Sequence, residues 1–228
     1  MFCSRSTLCQ ATQAIKRCQI RSLSSLEGHP HIYVFQNDGD IIQGNSHILS
    51  LLPTEPPSRD LAIGSTTRLP PTPESFQENP AFLKTLQEVL SKHAHEDPDA
   101  ISQAQVMAST SGANLGSGGV LMAGHHRRRR RGENDMSSGA SGQGGVGSAG
   151  RGGWIHISDN RRPPEYGRIA WPEDIFGSLE VDGKGQFVDG NGNYQSSGTY
   201  RIVTNNGILG LSPFLREKLV QRLREQEA

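Results

Sequence analysis

Residues 200–223, YRIVTNNGILGLSPFLREKLVQRL, carry the clearest structural signal in the sequence. Two short apolar runs flank the dipeptide Asn206-Gly207, which favours the positive φ of a tight hairpin turn. Ser212 followed by Pro213 is typical of a helix start, because serine caps free backbone N–H groups and proline fits the first turn. This stretch predicts a β-hairpin that leads directly into a helix.

The predicted C-terminal helix carries one apolar stripe, and short strands precede it. The stripe consists of Phe214, Leu215, Leu219 and Leu223. Upstream, β-branched and aromatic runs alternate with turn-forming dipeptides such as Asp182-Gly183. The strand candidates are Trp154 to Ile157, Ser178 to Val181, Gln186 to Val188, Tyr200 to Thr204 and Ile208 to Leu211. Residues 154–228 are therefore predicted to form an α+β module, a small antiparallel sheet covered on one face by the C-terminal helix.

A short helical hairpin is predicted over residues 79–109. Asn79-Pro80 and Asp97-Pro98 each combine a capping residue with a proline at the first helical position. The helix predicted over residues 80–94 carries an apolar stripe at helical spacing, formed by Phe82, Leu83, Leu86, Val89 and Leu90. Packing on the chain's own core is the more common use of such a stripe. A partner-facing helix is the functional alternative.

The segments 24–78 and 110–153 are predicted to contain little regular structure. His31 to Phe35 and Asp40 to Gln43 flank turn-forming residues and suggest a short hairpin. The six prolines between positions 53 and 73 indicate an extended linker. Residues 110–153 are rich in glycine, serine and arginine, and this composition predicts a disordered linker.

The first 23 residues have the composition of a mitochondrial presequence. They contain no acidic residue and four basic ones, Arg5, Lys16, Arg17 and Arg21. Transit peptides are similarly rich in arginine and serine and poor in acids. A secretory signal needs a continuous apolar core of about 7 to 15 residues, and polar side chains interrupt this segment throughout. We expect cleavage after Leu23 and a location in the mitochondrial matrix.

Removal of the presequence changes the chemistry of the chain. All three cysteines lie within it, at positions 3, 9 and 18, so the mature protein is expected to lack disulfides, thiol nucleophiles and cysteine metal sites. The full chain has a formal net charge of zero, and loss of four basic residues leaves a mildly acidic protein. No apolar run approaches the roughly 20 residues of a membrane-spanning helix, so no transmembrane segment is expected.

A run of arginines is the feature of the linker that most specifically suggests a function. The basic positions are Arg127, Arg128, Arg129, Arg130, Arg131 and, downstream, Arg151. A flexible cationic arm of this kind neutralises phosphates on RNA or on anionic lipid headgroups. The alternative is a solvated charge run, since Glu133 and Asp135 follow directly. Residues 151–228 contain equal numbers of basic and acidic side chains, whereas a dedicated RNA-binding domain is usually basic.

The sequence predicts no catalytic constellation, cofactor site or metal site. Gly142, Gly144 and Gly147 spell GxGxxG, but neither the strand nor the helix that a dinucleotide site requires flanks them. Residues 182–185 and 189–193 resemble cation loops without the terminal glutamate, so turns are the better interpretation. Candidates for acid–base roles are His156, Asp159, Glu173 and Asp174, near Arg161, Arg162 and Glu165. They would support an enzyme only if one pocket united them.

Two stretches carry a resemblance to other proteins. GGWIHISDNRRPPEYGRIAWPEDIFGSLEVDG (152–183) and GTYRIVTNNGILGLSPFLREKL (198–219) resemble the C-terminal block of a group of uncharacterised fungal mitochondrial proteins. The resemblance is confined to the C-terminal third of the chain. It implies a mitochondrial address and implies no activity, cofactor or functional residue.

These observations lead to one principal expectation and two alternatives. The principal expectation is a non-enzymatic matrix protein that acts as a protein-interaction or assembly factor, for the respiratory chain or the mitochondrial ribosome. The first alternative is a mitochondrial RNA-associated protein that grips phosphates through its arginine run. The second is a small hydrolase or cation-dependent enzyme that uses the acid–base candidates.

Overall fold

The computed structural model describes residues 24–37, 46–108, 152–164 and 168–227, and it confirms the predicted α+β class. The helices are α1 (Pro80–His93), α2 (Pro98–Ala108) and α3 (Pro213–Glu227). The strands are β1 (Ser24–Leu26), β2 (His29–Asn37), β3 (Ser46–Ser50), β4 (Gly64–Thr66), β5 (Phe76–Glu78), β6 (Gly153–Ser158), β7 (Ile175–Val181), β8 (Gln195–Ser196), β9 (Val203–Thr204) and β10 (Gly207–Ile208). The predicted presequence, the strand candidate at 40–43 and the arginine positions 127–131 and 151 lie outside the described residues.

Strands β1 to β5 form a five-stranded antiparallel sheet in sequential order. β2 pairs with β3, so that Val34 lies opposite Leu49 and Phe35 lies opposite Ile48. The sequence predicts an extended, proline-rich segment here with at most one hairpin, and this prediction is wrong. β4 and β5 have only three residues each, too few for a periodic pattern. The six prolines all fall in the connections between strands, where no ladder hydrogen bond is lost.

The predicted hairpin at Asn206-Gly207 is present as β9 and β10. Thr204 lies opposite Gly207, and Val203 lies opposite Ile208. Gly207 has a φ of 128°, in the region where glycine is favoured, and it directly follows the turn. The dipeptide therefore predicts the position of the hairpin correctly.

The second sheet contains β6, β7 and β8, and its third strand differs from the prediction. The candidate Gln186 to Val188 is not a strand, because Phe187 makes only an isolated bridge to Val181 and a 3-10 turn follows at 188–190. The partner of β7 is instead β8, a polar pair of residues with no apolar alternation to indicate a strand.

The main hydrophobic core joins the two larger sheets, the β9–β10 hairpin and all three helices. α1 and α3 pack against each other, and α3 contributes Leu215, Leu219 and Leu223 to this core. The stripe of α1 is also part of it: Phe82, Leu86, Val89 and Leu90 are at most 3% exposed, and Leu83 is half-buried against them. The stripe is thus filled by the chain's own core, and α1 is not a partner-facing helix in this fold.

Ser212 connects the beginnings of α2 and α3. Its Oγ accepts a hydrogen bond from the Leu215 N–H at 3.2 Å and donates one to Asp97 Oδ2 at 2.9 Å. The other oxygen of Asp97 accepts from the Asp99 N–H at 3.3 Å. Burial raises the pKa of Asp97, and its hydrogen bonds to Ser212 and Asp99 oppose that shift.

We expect Ser212→Ala to lower the free energy of unfolding by about 1 to 3 kcal/mol, because it removes a helix cap and the side-chain donor of a buried carboxyl group. Urea unfolding followed by circular dichroism measures the change. The matched control is Ser102→Ala on α2, whose exposed hydroxyl donates only to the Pro98 carbonyl. Equal losses in the two variants would contradict the prediction.

Candidate functional site

Four polar side chains from three chain segments meet in the interior beside the end of β6. They are Asp159, Arg161, Asp174 and Tyr200, and we call them the ionic cluster. Asp159 and Asp174 are 0% and 1% exposed, and the side chain of Arg161 is 1% exposed. Charges buried this deeply persist only when they are paired and hydrogen-bonded, because their desolvation costs several kcal/mol.

Arg161 lies at the centre of the ionic cluster. Its Nε donates to Asp174 Oδ1 at 2.7 Å, and its Nη1 and Nη2 donate to the carbonyl oxygens of Ile202 and Glu173, both at 2.9 Å. The guanidinium carbon lies 5.4 Å from the centre of the Tyr200 ring. The planar, forked guanidinium suits this arrangement, which the ammonium group of a lysine could not reproduce.

Asp159 accepts hydrogen bonds on both carboxyl oxygens. Oδ1 accepts from the backbone N–H groups of Arg161 and Gly210, and Oδ2 accepts from the Tyr200 hydroxyl, each at 2.9 Å. Burial raises the pKa of Asp159, while Arg161 and the three donors lower it. Burial also raises the pKa of Tyr200 well above its ordinary value, and Asp159 adds to the shift. Tyr200 is thereby kept as a neutral hydrogen-bond donor.

The ionic cluster joins chain segments that are distant in sequence. It links the end of β6, the 3-10 turn before β7 and the residues on either side of the β9–β10 hairpin. Glycine is required at position 210, since a Cβ there would lie 2.6 Å from Asp159 Oδ1 and 2.7 Å from the Arg161 nitrogen. With its charges paired and its side chains removed from solvent, the ionic cluster serves to hold the fold together.

The four acid–base candidates from the sequence are not brought into one pocket. Asp159 and Asp174 are buried in the ionic cluster, whereas Glu173 is exposed and contributes only its backbone carbonyl. His156 lies on the opposite side of β6, where its Nδ1 is 2.8 Å from Ser178 Oγ. Among the predicted residues, the structure therefore unites Asp159, Arg161 and Asp174 and separates His156 and Glu173 from them.

The two glycine-rich segments that resemble cation loops are turns. Asp182 Oδ1 accepts from the N–H groups of Lys184 and Gln186, both at 2.8 Å, and these hydrogen bonds lower the pKa of Asp182. Asn191 Oδ1 accepts from the Asn193 N–H at 3.2 Å. Within the described ranges, no group of three or more His, Cys, Asp or Glu side chains is placed to hold a metal ion.

Open clefts lie elsewhere on the surface. A polar cleft of about 320 Å³ covers part of the outer face of β3 to β5, around Ile48, Ser65 and Gln77. A wider groove runs between β2 and α3, lined by His31 and Arg216 among others. None of the helices in the part of the chain that the structure describes combines the length and apolar character needed to span a bilayer.

His31 contacts α3 across this groove. Its Nδ1 lies 3.4 Å from Arg216 Nη1, and its ring meets the ring of His29 edge to face at 5.8 Å. Burial, then the charge of Arg216 and then His29 lower the pKa of His31. The folded protein therefore binds a proton at His31 less readily than the unfolded chain does.

This difference predicts that acidification destabilises the fold. The stabilisation from neutral His31 is fully present above its unfolded pKa of 6.5 and is lost as pH falls through the lower folded pKa. We expect the free energy of unfolding to decrease between pH 7.5 and 5.5, and His31→Gln to reduce that decrease. Urea unfolding at several pH values in this window measures the slope. Identical slopes for the two proteins would refute the assignment.

Comparison with known proteins gives no match: no protein-family model, curated protein or solved structure matches the chain.

Proposed function

We propose that this chain is a non-enzymatic mitochondrial matrix protein, made with a cleaved presequence, that acts as a protein-interaction or assembly factor for the respiratory chain or the mitochondrial ribosome. The observation that carries the proposal is an exposed apolar segment just before β7. Ile169 is 50% exposed and Trp171 is 61% exposed. Tryptophan is enriched among the residues that dominate binding energy at protein interfaces, because it buries a large apolar area.

A groove with charged lining residues begins next to this apolar segment in the sequence. Glu173, two residues after Trp171, lines an open groove of about 560 Å³ together with Arg68, Glu74 and Arg201. Leu69 follows Arg68 in the sequence and is 40% exposed. Apolar side chains bordered by charges of both signs are typical of protein–protein interfaces, which have a desolvated centre and a polar rim.

The expected cut after Leu23 lies outside the described strands. The first described strand, β1, is Ser24–Leu26. Ser24 lies opposite Val34 in the sheet, and its Oγ donates to the Val34 carbonyl at 3.2 Å. Cleavage after Leu23 would remove none of the ten described strands and none of the three described helices.

The experiment is affinity purification of the C-terminally tagged full-length protein from isolated mitochondria, at low and at high salt. We expect a mature N-terminus at Ser24 and a protein partner that remains bound at high salt. Trp171→Ser should abolish binding of this partner. Ile101→Ser, which alters a residue of α2 that is 38% exposed, is the matched control and should retain it.

Three outcomes would overturn parts of the proposal. An uncut N-terminus would refute the presequence and with it the matrix location. A partner that binds the Trp171→Ser variant normally would refute the proposed surface. The RNA-associated alternative would be favoured if RNA is recovered at low salt and lost at high salt, because phosphate contacts weaken steeply with salt. Replacement of Arg127 to Arg131 by glutamine should then also remove the RNA.

A further inference from the structure

Three polar side chains form a row across the outer face of the β6–β7–β8 sheet. His156 on β6 lies opposite Ser178 on β7, and Ser178 lies opposite Gln195 on β8. Directly opposite residues have Cβ atoms about 4.5 to 5.5 Å apart and share one face of the sheet. The flanking residues Ile155 and Ile157 point into the core, so this row points away from it.

The first two members of the row are in direct contact. His156 Nδ1 and Ser178 Oγ are 2.8 Å apart, the distance of a good hydrogen bond between a hydroxyl and an imidazole. Burial lowers the pKa of His156, so its neutral, basic form predominates at neutral pH. When the ring proton is on Nε2, Nδ1 accepts the hydrogen bond from Ser178. This is the arrangement in which a histidine removes a proton from a serine nucleophile.

The third member, Gln195, lies on the other side of Ser178 in the strand register. Gln195 is exposed, and its side chain starts from the position directly opposite Ser178. An amide N–H group in this position is able to donate to an oxygen that develops negative charge during attack by Ser178. Base, hydroxyl and amide donor therefore lie on three adjacent strands.

We propose that Ser178 is an acyl-acceptor site that reacts with activated acyl donors of the thioester and aryl ester class, with His156 as the base and Gln195 as the donor to the carbonyl oxygen. The inference goes beyond the proposed interaction role and does not depend on it. It assigns a covalent modification to a serine on the outer face of the sheet.

The reaction is a balanced acyl transfer. Ser178 Oγ attacks the carbonyl carbon and forms a C–O bond while its proton passes to His156. The bond from the carbonyl carbon to the leaving sulfur, or to the aryl oxygen, then breaks. The leaving group takes the proton from His156 and departs as a thiol or a phenol, and Ser178 is left as an ester. No oxidant or reductant takes part.

Ser196 provides a matched control within the same sheet. It is exposed on β8 and lies opposite Gly177, so no imidazole faces its hydroxyl across the strands. Reactivity that depends only on exposure would favour Ser196. Reactivity that depends on a neighbouring base would favour Ser178.

The test is incubation of the full-length protein with p-nitrophenyl acetate, and separately with acetyl-coenzyme A, followed by peptide mass mapping. We expect Ser178 to be acetylated by both probes, at least about tenfold faster than Ser196, since a positioned general base contributes a factor of this order or more. His156→Asn retains a polar group near the position of Nδ1 without a basic nitrogen, and it should reduce labelling of Ser178 to that of Ser196. Gln195→Ala should slow the acetylation of Ser178 by a smaller factor.

The pH profile of the wild-type protein gives a second readout that needs no variant. The rate at Ser178 should rise with pH as His156 loses its proton and should level off, with a midpoint below 6.5. Three results would overturn the proposal: failure of either probe to acetylate Ser178, equal rates at Ser178 and Ser196, or a Ser178 rate that climbs without levelling off through pH 8.

Discussion

Replacing Arg161 with leucine is expected to lower the free energy of unfolding by about 3 to 5 kcal/mol, because it leaves buried carboxylates without their cation. Asp159 and Asp174 are at most 1% exposed in the folded state. The change also leaves the Ile202 and Glu173 carbonyl oxygens without the donors that Arg161 provides. A loss of this size is a large fraction of the total stability of an ordinary domain, about 5 to 15 kcal/mol.

Urea unfolding of three variants isolates this effect. Arg162→Leu is the matched control, since Arg162 is the exposed neighbour of Arg161, and it should change stability by less than about 0.5 kcal/mol. The double variant Arg161→Leu with Asp174→Asn should be more stable than Arg161→Leu alone, because it removes one of the unpaired charges. A small loss in Arg161→Leu, equal to that of the control, would show that the ionic cluster is not required for the fold.

Fragments 24–108 and 152–228 are each expected to remain unfolded alone and to fold when they are mixed. α3 buries three leucines against α1 and the rest of the shared core, and in the isolated C-terminal fragment these side chains would face water. Each such side chain contributes about 1.5 to 3 kcal/mol when it is fully buried. A domain of this size is already marginal, so the loss of the shared core should prevent cooperative folding.

Circular dichroism of each fragment and of the equimolar mixture tests this expectation. The mixture should show helix and strand signals that exceed the sum of the separate spectra. Leu219→Ala in the C-terminal fragment should weaken association, whereas Gln221→Ala, at an exposed position of the same helix, should not. A cooperative unfolding transition for residues 152–228 alone would contradict the prediction and would indicate an independent module.

Local signals predict the helices and the last hairpin because the interactions that form them lie close together in sequence. The Asn79-Pro80 start is an example: Asn79 Oδ1 accepts from the Ala81 N–H at 3.0 Å, as a capping residue should. The same side chain also donates to the carbonyl oxygens of Arg59, Asp60 and Ala62. These three contacts hold the segment before β4 in place, and no sequence pattern indicates them.

The N-terminal sheet, β1 to β5, could not be predicted because three of its strands are very short and are stabilised by contacts outside the sheet. β1, β4 and β5 have three residues each, and their pairing depends on the register of neighbours that are distant in sequence. Prolines between the strands suggested a linker, although a proline in a connection is compatible with a sheet. The shared core, rather than local propensity, supplies the stability of these strands.

The polar sites were predicted in part, for a similar reason. The sequence places Asp159, Arg161 and Asp174 near one another, but Tyr200 enters the ionic cluster from 41 residues beyond Asp159. The sequence indicates His156 as a candidate but carries no signal for Ser178 or Gln195, because only the strand register aligns them. Alternation along a strand shows which residues share a face and leaves open which residues lie opposite.

The shared core also determines when folding is able to finish. α3 is the last of the described elements to leave the ribosome. The surface of α1 that packs against α3 stays uncovered until then. Until α3 arrives, the nascent polypeptide has no closed interior and stays open to chaperones. Such a delay keeps a newly made chain unfolded for longer, and the mitochondrial import that we propose would require an unfolded chain.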